Sequence, residues 1–406
     1  MRITQRAQRV EPFYVMELAK AAQTMAEQAG PDARRMIYLN IGEPDFTAPP
    51  LVQAAAERAI REGRSQYTQA TGLPALREAI SGWYAQRFGL SIDPGRIVVT
   101  AGASMALHLA CLALIEAGDE VLMPDPSYPC NRQFVQAAEA RAVMIPSGPD
   151  QRFQLSAAQV EAAWTPATRG VLLASPSNPT GTSIARDELE RIARLVKSRG
   201  GVTMVDEIYL GLSYEDEYGH SALGLPDGLG DDIISINSFS KYFNMTGWRL
   251  GWLVLPPALV PAVERLAQNL FICASTIAQH AALACFAPES LTEYERRRAE
   301  FKARRNWFIP QLQRLGLDVP VMPDGAFYAW ADVTRLCDRW GIAMQGTPDH
   351  PGGSWALAFE LMKRCQLAAT PGRDFGVAEP GRYLRFSTAN SMAQLQEAIA
   401  RLEAAL

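Results

Sequence analysis

The stretch Ser238-Phe-Ser-Lys-Tyr-Phe-Asn-Met-Thr-Gly-Trp-Arg249 lies between two apolar runs, residues 232–237 and 250–255. Both runs are typical of buried strands, so Lys241 is predicted to lie in a turn at the mouth of a sheet. A lysine amine in a partly desolvated pocket loses its proton more easily and can form a Schiff base with a carbonyl compound. Ser238 and Arg249 add a hydroxyl and a guanidinium, which are ligands for phosphate.

A small molecule that carries both a carbonyl and a phosphate suggests pyridoxal phosphate. Two other interpretations exist for the same residues. Ser-x-x-Lys is the nucleophile motif of the penicillin-binding fold, but the Lys-Thr-Gly and Ser-Asp-Asn strings of that fold do not occur in this chain. The other interpretation is a surface lysine beside a serine and an arginine, and the rest of the sequence decides between them.

The composition of the 406 residues excludes several classes of protein. The net charge of −4 argues against a nucleic-acid-binding protein, and no apolar run approaches the ~20 residues of a membrane span. The N-terminus lacks the apolar core of a signal peptide. The 6 cysteines have no Cys-x-x-Cys spacing and the 4 histidines make no His-Glu-x-x-His pair. We therefore expect a cytoplasmic protein without a metal site.

Short apolar runs alternate with helical patterns through the middle of the chain. Strands are predicted over 97–100, 120–123, 142–146, 170–174 and 202–205, with helices beginning at Met105 and covering 130–140, 156–164 and 187–199. This alternation predicts an α/β fold with a mostly parallel sheet and helices on both faces, formed by a large cofactor domain of residues 48–290. Residues 1–47 and 291–406 are expected to form a smaller α+β domain.

The smaller domain is predicted to begin with a charged helix and to carry strands near 318–322, 326–331 and 382–387. Glutamates interleave the arginines of residues 296–305, so we expect that run to be a solvated helix face and not a basic binding patch. On the last strand, Arg385 shares a face with Tyr383, while Leu384 and Phe386 lie on the other. Leu384 and Phe386 are expected to anchor the strand, which leaves Arg385 to point at the cleft between the domains.

Side chains that could bind pyridoxal phosphate lie at the carboxyl ends of the predicted strands, where ligands of such sheets bind. They are Ser104, Tyr128, Asn178, Asp206, Tyr209, Ser238 and Lys241. Each has a structural explanation, such as an Asx turn for Asn178 or a helix cap for Asp206. One ligand explains the whole set more simply than a separate turn for each residue.

The chemistry of the ring assigns each group a task. Asp206 can pair with the pyridine nitrogen and keep it protonated, which makes the ring an electron sink. Asn178 and Tyr209 can hydrogen-bond the ring phenolate, and Tyr128 can stack on the ring face. Lys241 can also move the proton between substrate and cofactor. The phosphate is assigned to a helix N-terminus and its neighbours, Ala103, Ser104, Ser238 and Arg249.

The chain resembles the fold-type I pyridoxal-phosphate aminotransferases of class I/II, the aspartate aminotransferase superfamily. The resemblance is carried over nearly the whole chain by SFSKYFNMTGWRLG, LNIGEPDF, YTQATGLPALREAI, PSYP, SPSNPTG, VDEIY, PDGAFY and RFS. It implies a homodimer with shared active sites, in which Tyr67 reaches the partner's cofactor phosphate. It also implies that Arg385 binds the substrate carboxylate, and we expect Gly42 and Asn178 beside the substrate.

Three functions share this set of motifs. The favoured one is an aminotransferase that moves an amino group between an L-amino acid and a 2-oxo acid through a Lys241 Schiff base. A carbon–sulfur β-lyase on the same fold is the alternative, and ammonia release without an oxo-acid acceptor would identify it. A non-catalytic regulator would carry a DNA-binding segment, for which residues 1–36 are expected to be too short.

The sequence favours a neutral or apolar amino donor. An acidic substrate side chain would need a second cation in the pocket. Some aspartate-specific relatives have a lysine at the position of Ser104, and residues 271–283 contain no arginine.

Overall fold

The computed structural model describes residues 2–12, 14–29, 34–347 and 351–406. Residues 1, 13, 30–33 and 348–350, which all belong to the predicted small domain, lie outside the described residues. The strands are β1 (Ile37–Tyr38), β2 (Ile97–Thr100), β3 (Glu120–Asp125), β4 (Arg141–Pro146), β5 (Thr168–Ala174), β6 (Val202–Asp206), β7 (Ile233–Ser238), β8 (Gly251–Val254), β9 (Tyr328–Asp332), β10 (Leu367–Ala368), β11 (Thr370–Pro371) and β12 (Tyr383–Ser387).

The helices follow the predicted alternation with the strands. They are α1 (Gln5–Arg9), α2 (Tyr14–Ala29), α3 (Pro50–Arg61), α4 (Pro74–Phe88), α5 (Gly102–Leu114), α6 (Pro129–Ala137), α7 (Ala157–Ala163), α8 (Arg186–Ser198), α9 (Leu229–Asp232), α10 (Val260–Leu270), α11 (Thr276–Ala282), α12 (Pro288–Arg314), α13 (Thr334–Trp340), α14 (Gly353–Cys365) and α15 (Met392–Ala404). Among the described residues, we find no helix with the length and apolar character that a membrane crossing requires.

The central sheet has the strand order β2-β8-β7-β6-β5-β3-β4. The pairs from β7 to β4 are parallel, while β8 runs antiparallel to both of its neighbours. Adjacent residues of β5 pack on opposite sides, with Leu172 in a cluster with Leu109 of α5 and Val171 in a cluster with Ile192 of α8. The prediction of a mostly parallel sheet with helices on both faces is confirmed.

The loop of residues 239–250 joins β7 to β8 and carries Lys241. The two strands are antiparallel neighbours, with Ser238 opposite Gly251 at their ends. Antiparallel neighbours need no crossover helix between them, so the whole connection is free to form a compact turn. Lys241 therefore lies at the carboxyl end of β7, at the mouth of the sheet as predicted.

A second, three-stranded sheet has the order β11-β12-β9 with antiparallel pairing. Leu384 and Phe386 of β12 are fully buried in a cluster that also contains Phe308 of α12, which confirms their predicted anchoring role. The strand predicted near residues 318–322 is wrong, because this segment makes only an isolated bridge between Asp318 and Asp332. Pro320 lies in the middle of the segment and cannot donate the amide hydrogen bond that a strand needs there.

The arginine run of α12 is not the solvated face that its charge pattern predicted. Arg297, Arg304 and Arg305 are buried. The Arg297 and Arg304 guanidinium carbons lie 4.9 and 5.1 Å from the centre of the Phe46 ring, and Arg304 Nη1 pairs with Asp45 at 2.8 Å. This face of the helix packs against the segment that follows β1. The charge pattern of the helix alone could not predict that contact.

Candidate active site

A cavity of about 480 Å³ opens between the carboxyl ends of the parallel strands, the start of α5 and the second sheet. Its lining includes nearly all of the predicted site residues, namely Gly42, Ala103, Ser104, Tyr128, Asn178, Asp206, Tyr209, Ser238, Lys241, Arg249 and Arg385. Tyr67 is the predicted residue that does not line the cavity, and its side chain is 79% exposed. Residues that are far apart in sequence therefore converge on one cavity.

Lys241 presents its amine to the cavity from the loop after β7. Its Nζ donates a hydrogen bond to the Gly42 carbonyl oxygen at 2.6 Å. Burial lowers the pKa of Lys241 to about 8, and the positive charges of Arg385 and Arg249 act in the same direction. Glu43 and Asp206 oppose this change but do not cancel it. About a tenth of the amine is therefore unprotonated at pH 7 and about half at pH 8, and the unprotonated form is the one that acts as a nucleophile or base.

Asp206 ends β6 and points its carboxylate into the cavity. The side chain is buried and accepts a hydrogen bond from the Ile208 amide at 3.1 Å. Burial raises the pKa of Asp206 to about 6, although the Ile208 amide and the Lys241 charge oppose the rise. A buried carboxylate is stabilised by a cation placed against it, and a protonated pyridine nitrogen has that chemistry.

The next residue, Glu207, is also a buried carboxyl group but has a different environment. It accepts hydrogen bonds from the hydroxyls of Ser221 and Ser235 and from the Ala222 amide. Burial raises the pKa of Glu207 to about 7. Because successive side chains of a strand point to opposite faces, Glu207 is turned away from the cavity and its partners all belong to the protein.

The start of α5 forms a cradle for an anion. Ala103 and Ser104 lie in the first turn of this helix, whose free amides and dipole favour a negative charge. A Cβ atom on Gly102 would lie 2.6 Å from Arg249 Nη2, so the absence of a side chain there brings the guanidinium against the helix N-terminus. Ser238 is buried beside this point and also lines the cavity. These residues fit the phosphate of pyridoxal phosphate.

Arg385 enters the cavity from β12 and is only 2% exposed. Its Nη1 donates to Asn178 Oδ1 at 2.7 Å and its Nη2 donates to the Asn40 carbonyl oxygen at 2.6 Å. The guanidinium carbon lies 4.4 Å from the Tyr328 ring centre and 4.9 Å from the Phe375 ring centre. The guanidinium is therefore fixed in position between two aromatic rings.

Tyr209 and Tyr128 complete the walls of the cavity. Tyr209 is buried, and its hydroxyl lies 2.7 Å from the Tyr328 hydroxyl. Burial raises the pKa of both Tyr209 and Tyr128 well above the usual value for tyrosine. Both phenols are therefore neutral near pH 7, and a neutral phenol can donate a hydrogen bond.

Sequence reasoning missed several residues of this site. Tyr328 belongs to the PDGAFY run, which contributed to the family resemblance without receiving a role of its own. Val15 and Ala19 line the cavity from α2, together with Met16. The spacing of Val15 and Ala19 along a helix was visible in the sequence, but nothing in it showed that this helix faces the cavity.

Comparisons with known proteins agree with this geometry. The model of the aminotransferase class I and II family matches residues 34–402. The valine–pyruvate aminotransferase of Mycobacterium tuberculosis is 37% identical to this chain, over 97% of this chain and 96% of the relative. The aspartate aminotransferase of Thermotoga maritima is 32% identical, over 99% and 98% of the two chains.

A solved structure has the same fold throughout its length. The crystal structure of an aminotransferase from Mycobacterium tuberculosis superposes with a TM-score of 0.90 at 37% identity, and covers 100% of this chain and 98% of that one. The chain belongs to the aminotransferase class I and II family and is a pyridoxal-phosphate-dependent aminotransferase of the aspartate aminotransferase type.

Proposed function

We propose that this enzyme transfers an amino group between a neutral L-amino acid and a 2-oxo acid, with pyridoxal phosphate bound to Lys241. The observation that carries the proposal is the placement of the half-buried Lys241 amine and the fixed Arg385 guanidinium in one cavity. The Lys241 amine can form the covalent bond to the cofactor, and the Arg385 guanidinium can bind the carboxylate of the substrate.

The cavity lining divides among the parts of the cofactor. When bound, pyridoxal phosphate supplies an aldehyde for the lysine and a ring that withdraws electrons from the substrate carbon. Asp206 would hold the ring nitrogen, and Asn178 and Tyr209 would hold the ring oxygen. Tyr128 would cover one ring face. The phosphate would be held at the start of α5 by Ala103, Ser104, Ser238 and Arg249.

We assign the proton transfer to Lys241. A catalytic base works best when its pKa lies near the operating pH, and burial brings the pKa of Lys241 to about 8. The Gly42 carbonyl oxygen orients Nζ through the 2.6 Å hydrogen bond. With cofactor and substrate in the cavity, an unprotonated Lys241 amine would be placed to take a proton from the substrate carbon.

We assign the substrate carboxylate to Arg385. A guanidinium fork matches a carboxylate with two parallel hydrogen bonds, and every amino acid and 2-oxo acid carries that carboxylate. The contacts of Arg385 with Asn178, Asn40 and two rings fix the fork before the substrate arrives. Gly42 is expected to lie beside the bound substrate because its backbone already contacts the Lys241 amine.

The proposed preference for neutral donors rests on the remaining lining. Val15, Met16, Ala19, Ile41 and Leu107 supply apolar surface. Among the described lining residues, the cations are Lys241, Arg249 and Arg385, and the assignments above use each of them. None is left for a second carboxylate, and the name of the Mycobacterium tuberculosis relative, which specifies valine and pyruvate, supports the same preference.

A panel of amino donors tests the substrate class. With pyruvate as the acceptor, neutral donors such as valine should give higher kcat/KM values than aspartate and glutamate. With 2-oxoglutarate as a second acceptor, the ranking of the donors should stay the same. A preference for acidic donors would contradict the proposal, and ammonia release from one amino acid without any acceptor would indicate the β-lyase instead.

We also propose a cytoplasmic homodimer with shared active sites. The 79% exposure of Tyr67, outside the cavity of its own chain, supports a role toward a partner subunit. Mixing an inactive Tyr67→Ala protein with an inactive Lys241→Ala protein should regenerate activity, because one of the two sites in a hybrid dimer keeps both residues. Full activity in a protein that sediments as a monomer would contradict this proposal.

The domain boundaries at 48–290 for the large domain and at 1–47 and 291–406 for the small domain remain a proposal. Helix α12 begins at Pro288, near the second boundary. Its Phe301 packs in the cluster of the central sheet, whereas its Phe308 packs in the cluster of the second sheet. Hydrogen exchange should show two units of different protection that meet along this helix.

A further inference from the structure

We propose that Tyr328 is a positioning residue, which donates a hydrogen bond to Tyr209 and so tunes how strongly Tyr209 binds the ring oxygen of the cofactor. This inference rests on the proposed function, because it takes the Tyr209 hydroxyl as a ligand of that oxygen. The two hydroxyl oxygens lie 2.7 Å apart, and both side chains are buried. Either hydroxyl is able to donate, so the direction of the bond has to be argued from their surroundings.

The surroundings favour Tyr328 as the donor. The Arg385 guanidinium carbon lies 4.4 Å from the Tyr328 ring centre, and a nearby positive charge makes a phenol a better donor. Burial raises the pKa of Tyr328, but Arg385 and the bond to Tyr209 oppose that rise. Burial raises the pKa of Tyr209 and the contact with Tyr328 adds to the rise, while Arg385 opposes it as it does for Tyr328. The proposed function also requires this direction, because the single proton of the Tyr209 hydroxyl is given to the ring oxygen, which leaves Tyr209 to accept across the 2.7 Å contact and Tyr328 to donate.

The position of the Tyr328 hydroxyl is restricted on its other side by Gly42. A Cβ atom on Gly42 would collide with this hydroxyl. The two tyrosine rings meet edge to face, with centres 5.7 Å apart and planes inclined at 78°. The backbone of Gly42 and the ring of Tyr209 therefore hold the hydroxyl where it can donate to Tyr209.

The bond links two parts of the site. Tyr328 begins β9 in the second sheet and its ring supports Arg385, whereas Tyr209 follows β6 of the central sheet. Hydrogen bonds in a chain strengthen one another, so a bond received from Tyr328 makes Tyr209 a stronger donor to the ring oxygen. A stronger donor stabilises negative charge on that oxygen, and the proton on the neighbouring Lys241 nitrogen then becomes easier to remove.

The test is a pH titration of the visible absorbance of the cofactor-loaded enzyme. Tyr328→Phe removes the hydroxyl but keeps the ring that supports Arg385. The pKa read from the titration should rise by a few tenths, because the loss of a cooperative partner weakens the Tyr209 bond by roughly 10–30%. The KM for the amino donor should change less than about twofold, since the carboxylate site is intact. An unchanged or lowered pKa would overturn the inference.

Tyr294→Phe is the matched control. Tyr294 is also buried, and its hydroxyl donates to Cys285 Sγ at 3.4 Å outside the cavity. This change removes the same atom from another buried tyrosine, so the titration of the cofactor should stay where it is in the unaltered enzyme. A shift as large as that of Tyr328→Phe would mean that the effect is a general loss of packing, and this too would overturn the inference.

Gly42→Ala supplies a second test, in which the backbone carbonyl that accepts from Lys241 Nζ is retained. The added methyl group displaces the Tyr328 hydroxyl without removing it, so the pKa from the titration should again rise. If Tyr328→Phe does not retain the cofactor, this variant decides, and an unchanged pKa would overturn the inference. A failure of the proposed function would look different. In that case the unaltered enzyme would lack the visible absorbance band of the cofactor, or the Lys241→Ala variant would show the same band.

Discussion

The loop of residues 239–250 brings Lys241 to the cavity beside Arg249, and the strand β12 brings Arg385 to the same cavity. The Lys241 amine and the Arg385 guanidinium are held differently. The loop holds the Lys241 amine through a single hydrogen bond to a backbone carbonyl, and burial lowers its pKa to about 8. The strand holds the Arg385 guanidinium through hydrogen bonds to Asn178, Asn40 and Thr370 and through contacts with two rings. A lightly held amine that loses its proton suits bond making, and a fixed, charged fork suits recognition.

The comparison predicts the largest effect at Lys241. Lys241→Ala removes both the covalent attachment point and the proposed base, so kcat should fall at least on the order of 10⁴-fold. Lys302→Ala is a matched control, because the Lys302 amine binds the Tyr214 carbonyl oxygen outside the cavity. Turnover measured for both variants should fall only in the first. Retained turnover in Lys241→Ala would contradict the catalytic role that the comparison gives to Lys241 and not to Arg385.

The carboxylates at the end of β6 provide the next largest effect. Asp206→Asn should still bind the cofactor, but kcat should fall on the order of 10²- to 10³-fold because the ring nitrogen loses its charged partner. Glu207→Gln should leave kcat within a few-fold and lower the melting temperature, since its partners are all protein groups. Equal losses of turnover in both variants would contradict the assignment of Asp206.

Arg385→Lys tests the recognition half of the comparison. The change keeps the charge but loses the fork. For every substrate KM should rise, and kcat/KM should fall by a factor that corresponds to about 1.5–3 kcal/mol of lost transition-state stabilisation. Cofactor affinity should not change. The control is Arg382→Lys. Arg382 is an exposed arginine just before the same strand, and it forms an ion pair with Asp332. A loss confined to one amino acid would show that Arg385 binds a side chain instead.

The smallest expected effect is a pH dependence in loading the cofactor-free protein. Only the unprotonated Lys241 amine attacks the aldehyde, so the initial rate should rise with pH through the pKa of about 8. The increase should be roughly fivefold from pH 7 to pH 8 and less than about twofold from pH 8 to pH 9. Stopped-flow absorbance after mixing with pyridoxal phosphate measures it. A rate that keeps rising to pH 10 would indicate an ordinary lysine.

Sequence patterns were sufficient for the strands of the central sheet and for half of the residues that line the cavity. The alternation of apolar runs and helical patterns is a local signal, and it placed β2 at residues 97–100 as observed. The carboxyl ends of parallel strands meet at one edge, so Asp206 and Asn178 could be brought together without knowing the strand order. Lys241 followed because its motif lies between two strands.

Other features depended on contacts between distant segments. The buried arginines of α12 face Phe46, and the charge pattern of the helix alone could not show that contact. The role proposed for Tyr328 comes from its distance to Tyr209, which follows a strand of the other sheet. Met16 lines the cavity because α2 lies across it. Local patterns contain no information about such pairs.

Borohydride reduction of the loaded enzyme, followed by peptide mapping, tests the central claim most directly. Reduction makes the bond between the cofactor and its lysine permanent, so the attached residue can be identified by mass spectrometry. The account predicts that the cofactor is found on the peptide that contains Lys241, and that Lys241→Ala gives no labelled peptide. Label on another lysine, or unchanged labelling in Lys241→Ala, would contradict it.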